Sequence, residues 1–285
     1  MAISYSHKFG QIIGDSLEKA IEPHLREFAL KNNLYLDIKG KRITRKGTKL
    51  TWTDINNNKH DLDFVMEKGG SDHSQGIPVA FIECAWRRYT KHSRNKAQEI
   101  QGAIIPLFQK YKSNHPFIGV ILAGEFTKNS ISQLESLGFS VLFFDYEIII
   151  NAFKDIQINA FYDETTSEKK FQKKIEKWES ATEVQKKSIY SKIAELNKSN
   201  ISLFLKSLEK SIVRKVTSIK LLSLFGEDYS FLNIKNLKKF LIDFNPEISK
   251  LKFIRFEAII EYSNGDQIKV DFKNNKDFVE FLEKF

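Results

Sequence analysis

Sulfur chemistry is nearly absent from this 285-residue chain: Cys84 is its one cysteine, so no internal disulfide can form. Long apolar runs are missing too. The most apolar window, VLFFDYEIIINAF at 141–153, carries Asp145 and Glu147 and is too short to span a bilayer. The opening MAISYSHKFGQ lacks the basic-then-apolar pattern of a signal peptide, and a cytoplasmic location without a membrane partner is the expectation. There is no Cys/His zinc spacing, no internal repeat at any evident period, and no low-complexity tract beyond an enrichment in lysine.

What the chain does carry is positive charge. Lys and Arg number 45 against 36 Asp and Glu, a formal net charge of +9. That balance favours polyanionic partners, nucleic acid first and an acidic membrane surface second. A hydrophobic content of 41% at this length supports one large domain or two modest ones.

Residues 8–31 place Gly10, Ile13, Leu17, Ile21, Leu25 and Phe28 on one helical face, with Pro23 expected to bend or interrupt it. Gly10 and Gly14, on or beside that stripe, would let another backbone approach, and Glu18 lies at its edge. LYLDI, KRITR and TKLTWTDI, punctuated by Gly40 and Gly47, then read as short strands or a hairpin. DLDFVM (61–66) and VAFIECAW (79–86) read as stronger ones, separated by the Gly-rich loop KGGSDHSQGIP. From Arg94 a helix puts Ala97, Ile100, Ala103, Ile104, Leu107 and Phe108 on one side, with a kink expected at Pro106. The strand FIGVILAG (117–124), a short helix closed by Gly138 and the strand FSVLFFDY make a β-α-β crossover suited to parallel pairing. The class is α/β, a mixed central sheet flanked by helices.

Near residue 160 the composition changes to the charged DETTSEKKFQKKIEKWESATEVQKK, and 185–245 is rich in helix formers without a strong strand signal. The expected boundary falls there, with a core at 1–158 and a lysine-rich, mainly helical region at 159–285. Lys169, Lys173 and Lys177 share one helical face and Phe171, Ile175 and Trp178 another, the pattern of a solvated amphipathic helix. FEAIIEYSNGDQIKVDF is a hairpin turning at Asn264-Gly265, followed by a short helix at 275–284. Its sequence leaves structural support, homodimer formation and base recognition equally open.

Residues two apart on a strand face the same way. Asp61 and Asp63 therefore share a face, and Glu83 shares one with Ala85 while Cys84 points opposite. Adjacent strands presenting carboxylates together offer the oxygen ligands that Mg²⁺ takes alongside waters and substrate phosphate. Metal held there would activate water and neutralise charge on a phosphodiester. Just past the second strand, Arg87, Arg88, Lys91 and Arg94 suit contacts to a DNA backbone.

The strand DLDFVM, a loop, the strand VAFIEC and a following basic helix resemble the core of the PD-(D/E)xK nuclease superfamily, to which restriction endonucleases and many repair nucleases belong. The resemblance covers about residues 8–150 and rests on a short, degenerate motif. It implies a restriction-endonuclease-like core and a Mg²⁺-dependent, restriction-type endonuclease acting on double-stranded DNA. Asp63 and Glu83 would be its metal ligands, with Asp61 the alternative to Asp63 and the main-chain carbonyl of Cys84 a further ligand. Glu18 resembles the acidic residue that many members carry on the first helix as an extra metal ligand or supporting group. Those nucleases place a Lys two residues after the Glu, where this chain has Ala85, which can neither position a water nor stabilise developing charge. At about 100° per residue, Lys96 lies roughly 60° from the centre of the apolar stripe of the next helix, near Ile100 and Ile104. Lys96 is thus the expected displaced cation, a migration known in that superfamily, and Gln101 flanks the stripe on its other side.

Ala85 also motivates a second reading, a nuclease-like DNA-binding module without catalysis. A third is a non-nucleolytic α/β scaffold or small-molecule enzyme with an incidental basic face. A histidine-metal nuclease of the ββα kind fits poorly, because His60, His73 and His92 are scattered among loops. Cys84 has no identifiable base and suits a small inward-facing residue better than a nucleophile.

Overall fold

Ser4 opens the first helix: its side chain accepts the His7 N–H at 3.3 Å, and α1 runs Tyr5–Lys31. The computed structural model describes residues 4–222, 228–245 and 253–283. Phe9, Ile13, Leu17, Ile21 and Leu25 form its buried stripe. Pro23 lies inside α1 without interrupting it. Proline removes one intrahelical hydrogen bond, and burial of Ala20, Ile21, Leu25 and Phe28 on either side outweighs that loss. Pro106 is likewise contained within α2 (Ser93–Lys110).

The chain divides into two compact units, Met1–Glu209 and Lys210–Phe285. In the first, β1 (Leu34–Ile38), β4 (Phe64–Lys68), β5 (Ile77–Arg87), β6 (Phe117–Gly124) and β7 (Ser140–Asp145) form a sheet in the order β1-β4-β5-β6-β7. β1, β4 and β5 pair antiparallel, whereas β5, β6 and β7 run parallel. The crossovers are α2 and α3 (Lys128–Ser136), the latter closed by Gly138 at φ 88°. Central β6 is buried at every position, as a parallel strand covered on both faces must be. Phe81, Ala85, Val120 and Leu122 pack with Ala97, Ile100 and Ile104 of α2 in one core. α1 lies against β1 and β5, and α4 (Tyr146–Lys154) against β6 and β7. Gly10 leaves room for the Trp86 indole, 3.9 Å from where its Cβ would stand, rather than for a neighbouring backbone; at Gly14 a Cβ would meet open space.

Three strand expectations change. DLDFVM is not one strand: β3 (Lys59–Asp61) pairs with β2 (Thr51–Thr53) in a separate ribbon, and the chain bends before β4. Asp61 thus ends the β2–β3 ribbon, whereas Asp63 lies in the bend before β4. KRITR forms turns, because Arg42 is buried and clamped: its guanidinium donates to Asp37 at 2.6 Å and to Glu67 at 2.6 and 2.9 Å. It also donates to the Ser71 and Ser74 carbonyls, tying both loops beside β4 to the sheet. Of TKLTWTDI only β2 is strand.

The boundary also moves, from 158/159 to 209/210. α5 (Glu168–Ser180) and α6 (Glu183–Leu196) pack on α1, α6 also meets α4, and Phe204 of α7 (Lys198–Ile212) packs edge-on to Phe117. Phe171 and Ile175 are the buried residues of α5, with Lys169, Lys173 and Lys177 exposed.

The mainly helical character expected of 159–285 holds through α5, α6 and α7, but the second unit, 210–285, is built on a sheet. It is a four-stranded antiparallel sheet, β11-β10-β8-β9, built from β8 (Val216–Leu222), β9 (Asp228–Phe231), β10 (Phe256–Tyr262) and β11 (Gln267–Phe272). α8 (Ile234–Asp243) and α9 (Asn275–Leu282) pack on it. The expected hairpin and final helix are present. β8-β9-α8 and β10-β11-α9 are repeats of one ββα plan, which the sequence reading missed. Asn233 and Asn274 cap the two helices with matching backbone angles, and at the same offset Ile219 matches Ile260, Phe231 Phe272, Phe240 Phe281 and Leu241 Leu282. These residues furnish much of the unit's core.

Candidate functional site

Phe64 on β4 stands opposite Ile82 on β5, and one further step of that register sets Asp63 opposite Glu83. The Asp63 Oδ2 accepts the Cys84 N–H at 2.7 Å, fixing one carboxylate to the strand that carries the other. Glu83 is 9% exposed, and its Oε1 has no hydrogen-bond partner among the described residues. Burial, and next the Asp63 charge, push the Glu83 carboxyl well above the usual range, against the opposing pull of Lys96. Asp63 is raised by burial, opposed by the Cys84 amide and Lys96. Glu18, half-buried on α1, is pushed up to about 7 by burial and then by Asp63.

Buried carboxyls that repel one another favour either a proton or a cation between them. An orphaned carboxylate oxygen beside a second, anchored carboxylate fits a hard cation, which takes oxygen ligands and keeps several waters. Among the described residues no group of three or more His, Cys, Asp or Glu side chains is placed to hold a metal ion. The Asp63 charge raises Glu18, and the Glu18 charge in turn raises the Cys84 thiol. The matching donor set is Asp63, Glu83 and the Cys84 carbonyl, which in an extended strand faces the same edge as the Cys84 N–H.

Ala85 is 5% exposed in the core beneath α2, where the close helix leaves a small side chain in place. Lys96 and Ala85 line the same cleft of about 670 Å³, together with Cys84, Arg87, His92 and the α1 residues His7 and Gln11. Lys96 acts on both Asp63 and Glu83 through its charge, while its Nζ lies 2.6 Å from Glu99 Oε1 on the next turn. Glu99, which the sequence reading passed over, also raises Glu83.

Other expected residues are engaged elsewhere. Asp61 accepts from Lys49 and Thr51, each at 2.6 Å, within the β2–β3 ribbon. Gln101 accepts from Gln133 of α3 at 3.0 Å. The Arg88 guanidinium sits 4.4 Å from the Tyr146 ring centroid and donates to the Tyr162 carbonyl, so it is a structural clamp rather than a mobile phosphate contact. Lys91 pairs with Glu164 at 2.6 Å on the surface, Arg94 is exposed, and Arg87 lines the cleft. Cys84 is half-buried at the cleft wall rather than enclosed. Burial and the charges of Asp63, Glu18 and Glu83 push its thiol well up, which keeps it protonated and unreactive.

On the other side of α1, Glu18 and Asp63 line a second cleft of about 420 Å³ whose wall includes Trp178 and Tyr190. No motif marks those two aromatics; their pattern in the sequence is that of an ordinary amphipathic helix.

No protein-family model matches the chain, and no curated protein matches it. Among solved structures, a protein of unknown function, AF1548, matches with 9% identity over 68% of this chain and 94% of its own, at a TM-score of 0.31. So loose a likeness carries no argument about fold or activity. Among the described residues no helix is long and apolar enough to cross a membrane.

Proposed function

We propose that the chain is a Mg²⁺-dependent DNA endonuclease with a restriction-endonuclease-like core, hydrolysing phosphodiester bonds at the Asp63–Glu83 pair. One observation carries this reading: a buried carboxylate with an orphaned oxygen stands across the strand pair from a carboxylate anchored on a backbone amide. The order of elements supports it, with α1 and antiparallel β1-β4-β5 followed by parallel β6 and β7. Asp63, Glu83 and the Cys84 carbonyl would hold Mg²⁺, which when bound supplies Lewis acidity toward the phosphodiester and an acidified water. The Cys84 amide keeps Asp63 from rotating away, and burial holds Glu83 with one oxygen unpartnered among the described residues. Lys96, released from Glu99 by an incoming phosphate, would place positive charge where negative charge builds up. Arg87 and Arg94 would hold the flanking backbone.

The Lys96–Glu99 pair and the apolar setting of Ala85 favour one other reading, a DNA-binding module without catalysis. Supercoiled plasmid incubated with the full chain and Mg²⁺ should be nicked or linearised, and chelator should stop it. Retarded but uncut plasmid in both Mg²⁺ and Mn²⁺ would replace the nuclease reading with the binding module. In an active protein, Lys96→Ala should lower the cleavage rate by about 10²-fold or more; an unchanged rate would remove Lys96 from the site.

A further inference from the structure

The second cleft has the size of a ligand pocket, about 420 Å³. Its lysines are matched by carboxylates: Lys19 with Glu22 at 2.8 Å, Lys186 with Glu183 at 3.0 Å, and Lys39 with Asp15 at 3.9 Å. Glu18 and Asp63 form no ion pair among the described residues. In the same cleft the Trp178 indole is braced by Phe153, with ring centroids 5.5 Å apart and planes at 26°, and Lys186 Nζ stands 5.8 Å from its centroid. The Tyr190 ring lies 6.4 Å from that of Trp178. Neither the Trp178 Nε1–H nor the Tyr190 hydroxyl makes a hydrogen bond among the described residues. An aromatic pair with two free polar edges, lining the same cleft as the Asp63 carboxylate, suits a flat heteroaromatic group attached to a phosphate that displaces the Lys186 ammonium from the Trp178 ring.

We infer that this cleft takes an unpaired nucleobase next to the scissile phosphate, so that the preferred substrate is single-stranded DNA or a locally opened duplex. The inference rests on the nuclease reading above. A base within a closed duplex is stacked and paired, and extruding it costs free energy that a single strand does not. α5 and α6, which supply Trp178 and Tyr190, thereby become part of the substrate site rather than a peripheral addition.

The test uses the full chain carrying Glu83→Gln, which suppresses turnover, with Mg²⁺ and a labelled oligonucleotide either single-stranded or annealed to its complement. Of the three tryptophans, Trp52 is 3% exposed and Trp86, 8% exposed, lines the first cleft, so the single strand should quench the fluorescence and the part of the quenching lost in Trp178→Phe reports on the second cleft. Trp178→Leu and, independently, Tyr190→Leu should each weaken single-strand binding by about tenfold while moving duplex binding less than about twofold; Trp178→Phe, which keeps a stacking ring, should stay within about twofold. Circular dichroism establishes which variants are folded, and Tyr190→Leu serves if Trp178→Leu is not. Single-strand binding indifferent to both leucine variants, or equal losses for single strand and duplex, would overturn this inference alone. No binding of either oligonucleotide by the parent chain would overturn the nuclease reading with it.

Discussion

Glu18 shows how a single residue reports on the site. With its carboxyl raised to about 7 from an ordinary 4.5, the folded chain binds more protons than the unfolded chain between those values. The stability this confers is present below about pH 4.5 and lost as pH rises through about 7, and it amounts to roughly 3 kcal/mol at the outside. In chelator, the thermal midpoint should therefore fall between pH 5 and pH 8 more steeply for the parent than for Glu18→Gln, and at pH 8 the variant should be the more stable. Parallel pH profiles would show that Glu18 does not share the field of Asp63. Part of this site was legible in the sequence: the resemblance singled out Asp63 and Glu83 and helix phase Lys96, whose charge acts on both carboxyls in the structure. Asp61, Gln101 and Arg88 show what sequence position leaves out. Phase tells which side of an element a residue occupies, but not whether a neighbour such as Lys49, Gln133 or Tyr146 already holds it.

Among the elements, the two loops beside β4 depend on Arg42. Its side chain is 3% exposed, and Asp37 and Glu67 are 3% and 0% exposed. Removing one partner of a buried ion group leaves uncompensated charge, at a cost of about 3–5 kcal/mol. Arg42→Ala should thus lower the stability of the first unit by about that amount in chemical denaturation; a change under about 1 kcal/mol would mean that solvent reaches the cluster. The long elements α1, β5, α2 and β6 were readable because amphipathic or fully apolar patterns persist along them. KRITR was not, since its alternation of Arg42 and Thr44 with Ile43 imitates a strand although the charged member is the buried one. β8 and β9 escaped for another reason. They are short, and it is tertiary pairing that defines them, β8 with β10 at Ile219 opposite Ile260 and β9 with β8.

At the scale of the whole molecule, the composition change at residue 160 was real but marked a loop rather than a domain edge. α1 is packed against α5 and α6, so residues 1–158 alone would expose part of its apolar stripe. That fragment should aggregate or fold poorly, whereas residues 1–209 should give a cooperative unfolding transition. A well-folded 1–158 fragment would show the α5–α6 contacts to be dispensable. The net charge of +9 fits a nucleic-acid partner only in general terms; the specific claim rests on two carboxylates. Their direct trial is the rate of plasmid cleavage in Mg²⁺ by the full chain against Asp63→Asn and Glu83→Gln, each verified as folded. Cleavage by the parent that drops at least about 10²-fold in both variants is the expected result. Cleavage that survives both substitutions would contradict the assignment of the site.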